Sequence, residues 1–322
     1  MFFLLLRRLW VKPLSEKLAI GARGSPLSLA QTGGVARAIA SFFPELAIRV
    51  VPIKTSGDDP GRGPGAQWGI KGLFVKEIEE ALLAGAVDLA VHSAKDLPAE
   101  LPAGLVLGAV PERIFPGDAL VGAPAADLLE LPPGARIGTS SLRRMAQIKY
   151  LRPDLTVVPL RGNVDTRIAK IGAGLCDAAM LAAAGLIRLK GPDFPFSPMD
   201  PALFLPAPGQ GLLALETREG DARVAAFLAP LNHPPSALAL AAERAFMARL
   251  GAGCAIPAGA WARESEGVLR VDGLVADVDG SEAVRRSLSL PRPTLAGARA
   301  LGESLAALLW EGGGSAIIER AR

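Results

Sequence analysis

The sequence predicts an α/β protein of more than one domain, closed by a smaller α+β unit at its C-terminal end. Three observations predict it. From Leu18 to Leu215, short apolar runs alternate with polar turns and amphipathic stretches, the strand–loop–helix pattern of mostly parallel sheets with helices on both faces. Beyond Gly251 the period changes to paired strand-like runs around an Asp279-Gly280 turn. The 322 residues also exceed what one hydrophobic core usually serves, so two or three domains are expected.

Composition narrows the function classes. Half of the residues are hydrophobic and 21% are charged, which excludes global disorder. The net charge of +3 does not imply nucleic acid, and no run of Lys and Arg is interleaved with aromatics as a base-stacking surface would be. Two cysteines, Cys176 and Cys254, and two histidines, His92 and His233, suit neither a disulfide framework nor a four-ligand zinc site. Metal-independent chemistry is expected. Residues 1–17 carry an apolar run too short to span a bilayer, with Arg7 and Arg8 after it rather than before. They read as a loosely packed extension, and the protein is placed in the cytoplasm.

The elements follow in order. Leu18–Gly21 is a strand, and Ala22–Pro26 turns into a helix over 27–40, so Arg23 and Ser25 stand at a helix N-terminus. Leu46–Lys54 is the second strand, before a Gly- and Pro-rich loop through Gly69. A helix beginning near Lys71 aligns Phe74, Ile78 and Leu82 on one face. The strand at Leu89–Val91 then runs into His92, Ser93, Lys95 and Asp96, groups that an apolar core does not take. Leu105–Val110 is a strand and 111–116 a crossover. Ile137-Gly138 leads through Thr139, Ser140 and Ser141 into a helix that starts with Arg143 and Arg144, cations at the positive end of the helix dipole. An anion between them would resolve that conflict. Leu155–Leu160, with Arg161 and Arg167 after it, repeats the arrangement. Ala178–Ala182 and Leu212–Leu215 are further strands, 235–250 a helix, 268–278 and 283–290 a strand pair, and 295–309 a last helix.

Arg23, Lys95, Arg143, Arg144, Arg161 and Arg167 thus all follow expected strands. Each alone is ordinarily a solvated charge. Together they suit a cleft for a substrate with several carboxylates, and the absence of a phosphate-loop glycine pattern disfavours phosphate. Asp96 is either the ion-pair partner of Lys95 or a carboxylate facing a substrate cation. Cys254 lies in a loop of small residues, which leaves room around sulfur, whereas Cys176 is expected to be packed. On residues alone, a two-lobed polycarboxylate binder and a surface for an acidic partner remain open.

The stretches Ala22–Pro26, Thr55–Asp58, Lys71–Glu77, Val91–Pro98, Gly138–Arg144, Leu160–Arg167, Pro206–Gly211 and Gly253–Pro257 resemble, in this order, the porphobilinogen deaminase (hydroxymethylbilane synthase) family. The resemblance implies two periplasmic-binding-protein-like lobes with mixed, mostly parallel sheets, 18–112 with 212–230 and 117–205, joined by two crossings, plus a small α+β domain over 234–322. It implies stepwise condensation of four porphobilinogen molecules on a dipyrromethane cofactor held by a thioether to Cys254, with release of 1-hydroxymethylbilane and ammonia. Asp96 matches the catalytic aspartate. Arg23, Ser25, Lys95, Thr139, Ser140, Ser141, Arg143, Arg144, Arg161 and Arg167 match groups that hold carboxylates, and Lys71, Phe74, His92, Ser93 and Gln210 line or support the site. No metal, nucleic acid or stable membrane insertion is implied, whereas transient hand-off of product to uroporphyrinogen-III synthase is; because the domains look complete, a monomer is expected. Gln67 and Gly117 depart from the family pattern, which has basic residues there.

Overall fold

A computed structural model of the chain describes residues 17–56, 75–122, 127–251 and 256–321. The first sheet is built from β1 (Lys17–Arg23), β2 (Ala47–Ile53), β3 (Leu89–Ser93), β4 (Leu105–Ala109) and β10 (Leu213–Arg218), in the order β2-β1-β3-β10-β4. The second takes β5 (Asp118–Val121), β6 (Arg136–Gly138), β7 (Thr156–Val158), β8 (Ala178–Ala182) and β9 (Ser197–Pro198), in the order β7-β6-β8-β5-β9. In each sheet the first two pairings are parallel and the last two antiparallel. The two lobes therefore share one mixed topology. Each has a strand contributed from across the divide: β5 enters the second sheet directly after the first crossing, and β10 returns to the first after the second crossing.

Helices form where the apolar spacing allows one face to be buried. On α1 (Pro26–Phe42), Ser25 caps the N-terminus by accepting from Ser28 N, Pro26 opens the first turn, and Val35 and Ile39 pack on Leu18, Ile20, Leu89 and Val91. Side chains of this size stabilise by ~1.5–3 kcal/mol each when fully buried. In the second lobe, Ile148 of α3 (Leu142–Leu151) packs with Ile137, Leu120 and Met180. Helices α2 (Lys76–Leu83), α4 (Val164–Gly172), α5 (Ala183–Lys190) and α6 (Ala222–Leu228) complete the two lobes.

The third unit is an antiparallel sheet, β11 (Ala258–Ser265), β12 (Val268–Ala276) and β13 (Ala283–Pro291), under α7 (Pro234–Arg249) and α8 (Leu295–Leu309), with Phe246, Leu305 and Leu309 in its core. A further helix, α9 (Ser315–Arg320), follows. Leu274 and Ala276 meet Ala146 of α3 and Leu205 of the second crossing, so this unit braces the second lobe. It holds the first crossing as well. His233 N donates to Val110 O, Arg113 N to Ser236 Oγ, and the Arg113 guanidinium to Glu243.

The structure adds β5, β9, β11, α5, α6 and α9 to the elements that periodicity gives. β5 is four residues long and opens on a charge, and β11 begins Ala-Gly-Ala, so neither shows the branched apolar run that marks a strand. Gly117 sits in a tight place: a Cβ there would lie 2.5 Å from the Phe115 ring and 2.6 Å from Met199 O. A side chain at 117 requires the two crossings to separate locally.

Candidate active site

The cations at the start of α3 meet a partner within the chain. Arg143 Nη1 donates to Asp118 Oδ2 at 2.8 Å, while Arg144 Nε and Nη2 donate to Oδ1 at 3.1 and 2.8 Å. Asp118 is wholly buried. Burial alone would raise its carboxyl, but the two guanidiniums outweigh burial and hold it well below the usual carboxylate range. The helix-dipole conflict has this internal answer before any ligand is considered. Both arginines also donate to backbone, Arg143 to Leu205 O and Arg144 to Met180 O, which fixes their forks.

Gln210 extends this network to the other lobe. Its Nε2 donates to Pro116 O and to Asp118 Oδ1, both at 2.9 Å, and its Oε1 accepts from Lys95 Nζ at 3.3 Å. Lys95 lies in the short 3-10 turn Ala94–Asp96 after β3. Desolvation brings its ammonium down to about 8, against the pull of Asp96 and Asp118, with Arg143 and Arg144 adding to the depression. A lysine so placed gains from an additional anion.

Asp96 is exposed and lies where two cavities meet. The larger, about 190 Å³, is lined by polar Lys95, Ser141, Arg143, Arg144, Gln210 and Arg244 together with apolar Ala207, Pro208, Met247, Ile256 and Ala258. The smaller, about 60 Å³, is lined by Arg23, Ser25, Gln31, His92 and Ser93 beside apolar Val75, Ile78 and Val91. Cations and amide donors together with apolar groups suit a flat ring that bears carboxylates.

The remaining sequence-derived positions divide. Thr139 and Ser140 hold the turn: Ser141 N donates to Thr139 Oγ1, and Ser140 Oγ exchanges hydrogen bonds with Leu160. Ser141 caps α3 and reaches the larger cavity. Ser93 Oγ bonds the Gln31 amide, and both residues line the smaller one. Arg167 lines neither cavity; its Nε donates to Gly162 O, burial lowers its guanidinium, and Arg144 and Asp96 both lie within its electrostatic reach. Arg161 is exposed on the adjoining turn. Lys71, Phe74 and Cys254 lie outside the described residues, as does Gln67. Cys254 falls between Gly251, just past α7, and Ile256, which lines the larger cavity. Among the described residues, no cluster of His, Cys, Asp or Glu is arranged to hold a metal ion, and no helix is long and apolar enough to cross a membrane.

Sequence reasoning missed several groups. Asp118 is separated from its arginines by 25 and 26 residues, so only its charge at the head of an apolar run marks it. Arg244, on the helix leading to Cys254, donates Nη2 to Ala99 O at 2.7 Å behind the Asp96 turn. Arg188 of α5 donates to Gly211 O at 2.8 Å and is lowered to about 10 by burial.

Two comparisons bear on the family. Residues 18–226 match "Porphobilinogen deaminase, dipyromethane cofactor binding domain", and residues 237–311 match "Porphobilinogen deaminase, C-terminal domain". The chain is 45% identical over 302 residues to the porphobilinogen deaminase of Syntrophobacter fumaroxidans, covering 94% of this chain and 97% of that one. It is 47% identical over 306 residues to that of Thermus thermophilus, covering 95% and 99%. Among solved structures, the periplasmic VFT2 domain of Bordetella pertussis BvgS aligns at a TM-score of 0.36 and 17% identity, over 66% of this chain and 84% of that one, too loosely to bear on the family. Matches over both segments and nearly the full length of the relatives make this chain a member of the porphobilinogen deaminase family, transferases of tetrapyrrole biosynthesis.

Proposed function

We propose that this chain deaminates four porphobilinogen molecules in turn, joins them head to tail on a covalently held dipyrromethane, and releases the linear 1-hydroxymethylbilane with ammonia. The observation that carries this reading is the exposed Asp96 carboxylate at the junction of two cation-lined cavities. The larger cavity fits a carboxylate-bearing dipyrromethane: Lys95, Arg143 and Arg144 would neutralise its side chains, and Cys254, between Gly251 and Ile256, would anchor it. When bound, that group supplies the free pyrrole α-carbon on which the chain grows.

The protein's own residues do the rest. Arg23 and Ser25, at the N-terminus of α1, receive the incoming substrate's carboxylates in the smaller cavity, with Ser93 and Gln31 orienting it. Asp96 accepts from pyrrole N–H groups and offsets the positive charge that grows on the ring as the C–N bond breaks and ammonia departs. Arg167 and Arg161 meet carboxylates of the lengthening chain. Thr139 and Ser140 shape the turn that presents Ser141, Arg143 and Arg144, while Gln210 couples Lys95 to Asp118. Lys71 and Phe74 would support the site. We assign the lobes to 18–112 with 212–230 and to 117–205, and the attachment domain to 234–322. The enzyme acts as a cytoplasmic monomer and hands its unstable product to uroporphyrinogen-III synthase.

Intact mass and a turnover assay test this together. The purified protein should exceed its polypeptide mass by one dipyrromethane and colour with an acidic aldehyde reagent for pyrroles, and Cys254→Ser should carry no added mass. Asp96→Asn should fold, yet lose at least ~100-fold in ammonia release. Parental rates in Asp96→Asn would remove its role, and a wild-type protein releasing neither ammonia nor tetrapyrrole would sink the reading.

A further inference from the structure

Behind the smaller cavity lies a set of titratable groups that the chemistry above does not use. His92 Nε2 is 2.9 Å from Glu216 Oε2, with the imidazole 4% exposed and the carboxyl fully buried. The antiparallel pairing of β3 with β10 puts His92 opposite Ala214 and Glu216 opposite Ala90, so the two side chains share a sheet face. Glu79, from α2, completes the set. It is buried, and burial together with the Glu216 charge raises its carboxyl. One oxygen of Glu79 and one of Glu216 have no hydrogen-bond partner among the described residues.

Two carboxyls and one imidazole thus share one site out of water, an arrangement that is costly unless it serves a purpose. A buried pair that merely closed the sheet would not need the second carboxyl or leave two oxygens unused. His92 meanwhile reaches the cavity that Asp96 and Arg23 line. In the tautomer whose Nε2–H donates to Glu216, the other ring nitrogen, Nδ1, carries no proton and can accept one. Among the described residues, the charged groups near the imidazole are Glu216 from β10, Glu79 from α2, and Arg23 from β1 and Asp96 from the adjoining turn, which line the same cavity. Arg244 of α7 lies within electrostatic reach of Glu216.

We propose that His92, backed by Glu216 and Glu79, takes up the proton that carbon loses each time a ring is added. This rests on the condensation proposed above. In one cycle the aminomethyl group enters as ammonium and leaves as ammonia with the C–N electron pair. The π electrons at the free α-carbon of the terminal pyrrole form the new C–C bond. That carbon gives its proton to His92 Nδ1, and the C–H electrons restore the aromatic ring. The imidazolium then protonates the departing ammonia, so ammonium leaves and His92 is neutral again. No outside acid, base or oxidant is consumed.

Porphobilinogen deuterated at its free α-carbon provides the test. His92→Gln, folded like the parent and carrying the same primer mass, should turn over ~100-fold more slowly, with a primary isotope effect that the parent lacks. A slow variant without an isotope effect, or one within about twofold of the parental rate, overturns the proposal. A second readout needs no turnover and no primer. With only two histidines in the chain, nitrogen NMR of the Cys254→Ser protein should show His92 as the Nε2–H tautomer at neutral pH, with Nδ1 unprotonated, and the Nδ1–H tautomer overturns the proposal even if His92→Gln does not fold. A parent without deaminase activity refutes the function and this step together; an active parent that fails either test refutes this step alone.

Discussion

Arg113, on the first crossing, donates Nη2 to both carboxylate oxygens of Glu243 on α7, at 2.8 and 2.6 Å. The same carboxylate accepts from Gly209 N on the second crossing at 2.5 Å and from Ala262 N on β11 at 2.7 Å. One buried side chain thus gathers both crossings and the third domain. Glu243→Gln leaves the Arg113 charge without its counter-ion and should cost ~3–5 kcal/mol, read as a lower urea midpoint. An unchanged midpoint would mean that Arg113 finds another anion.

Asp118 predicts an acid dependence. Its carboxyl is held below its unfolded value, so the stability it contributes is complete above about pH 4 and is lost as pH falls from there toward the folded value. Asp118→Asn should be less stable than the parent at neutral pH by ~3–5 kcal/mol, and the gap should narrow on acidification. Denaturation curves measured from neutral pH down to about pH 3 check this; parallel pH profiles for the two proteins would contradict it.

Lys95 predicts the opposite limb. With its folded value lowered to about 8, the ammonium is disfavoured in the folded protein, and its contribution to the stability of the ligand-free form rises between about pH 8 and the unfolded value near 10.5. Carboxylate binding requires the charged form and so should weaken above about pH 8. Lys95→Met should bind porphobilinogen more weakly at neutral pH and lose that pH dependence, which KM measured across the range reports.

Gly209 has φ +80°, and a Cβ there would lie 2.8 Å from Lys95 N. Gly209→Ala should push the Ala94–Asp96 turn out of place and cut kcat by about tenfold or more, at a stability cost of ~1–3 kcal/mol. Gly34→Ala, in open space on α1, should leave the rate unchanged. Equal rates for all three proteins would show that the turn absorbs the methyl group.

Periodicity located the longer elements because each carries its own signal: the strand expected over Ala178–Ala182 is found over those residues, and the last long helix runs from Leu295 to Leu309 as its spacing requires. Polar residues at strand ends pointed to Asp96, Lys95, Arg143 and Arg144, all of which line the larger cavity. What stayed hidden is relational. Nothing local to Asp118 says that Arg143 and Arg144 will enclose it, and Glu243 reads as one more charge on a helix until Arg113 arrives from 130 residues away. Glu79 and Glu216 are similar cases, since a carboxyl on an amphipathic helix or at the end of a strand looks solvated until a sheet closes over it.

The exchanged strands have a consequence for how the protein is made. β4 pairs only with β10 within the first sheet, and β10 ends at Arg218. A chain emerging from the ribosome can complete its second lobe before its first, because the strand that closes the earlier sheet is translated after the later sheet is whole. Nascent β3 and β4 stand as open edges for the time it takes to synthesise about a hundred residues, ~5–20 s at ordinary elongation rates. Chaperone occupancy on ribosome-bound chains should therefore peak before residue 218 emerges and fall once β10 is inserted.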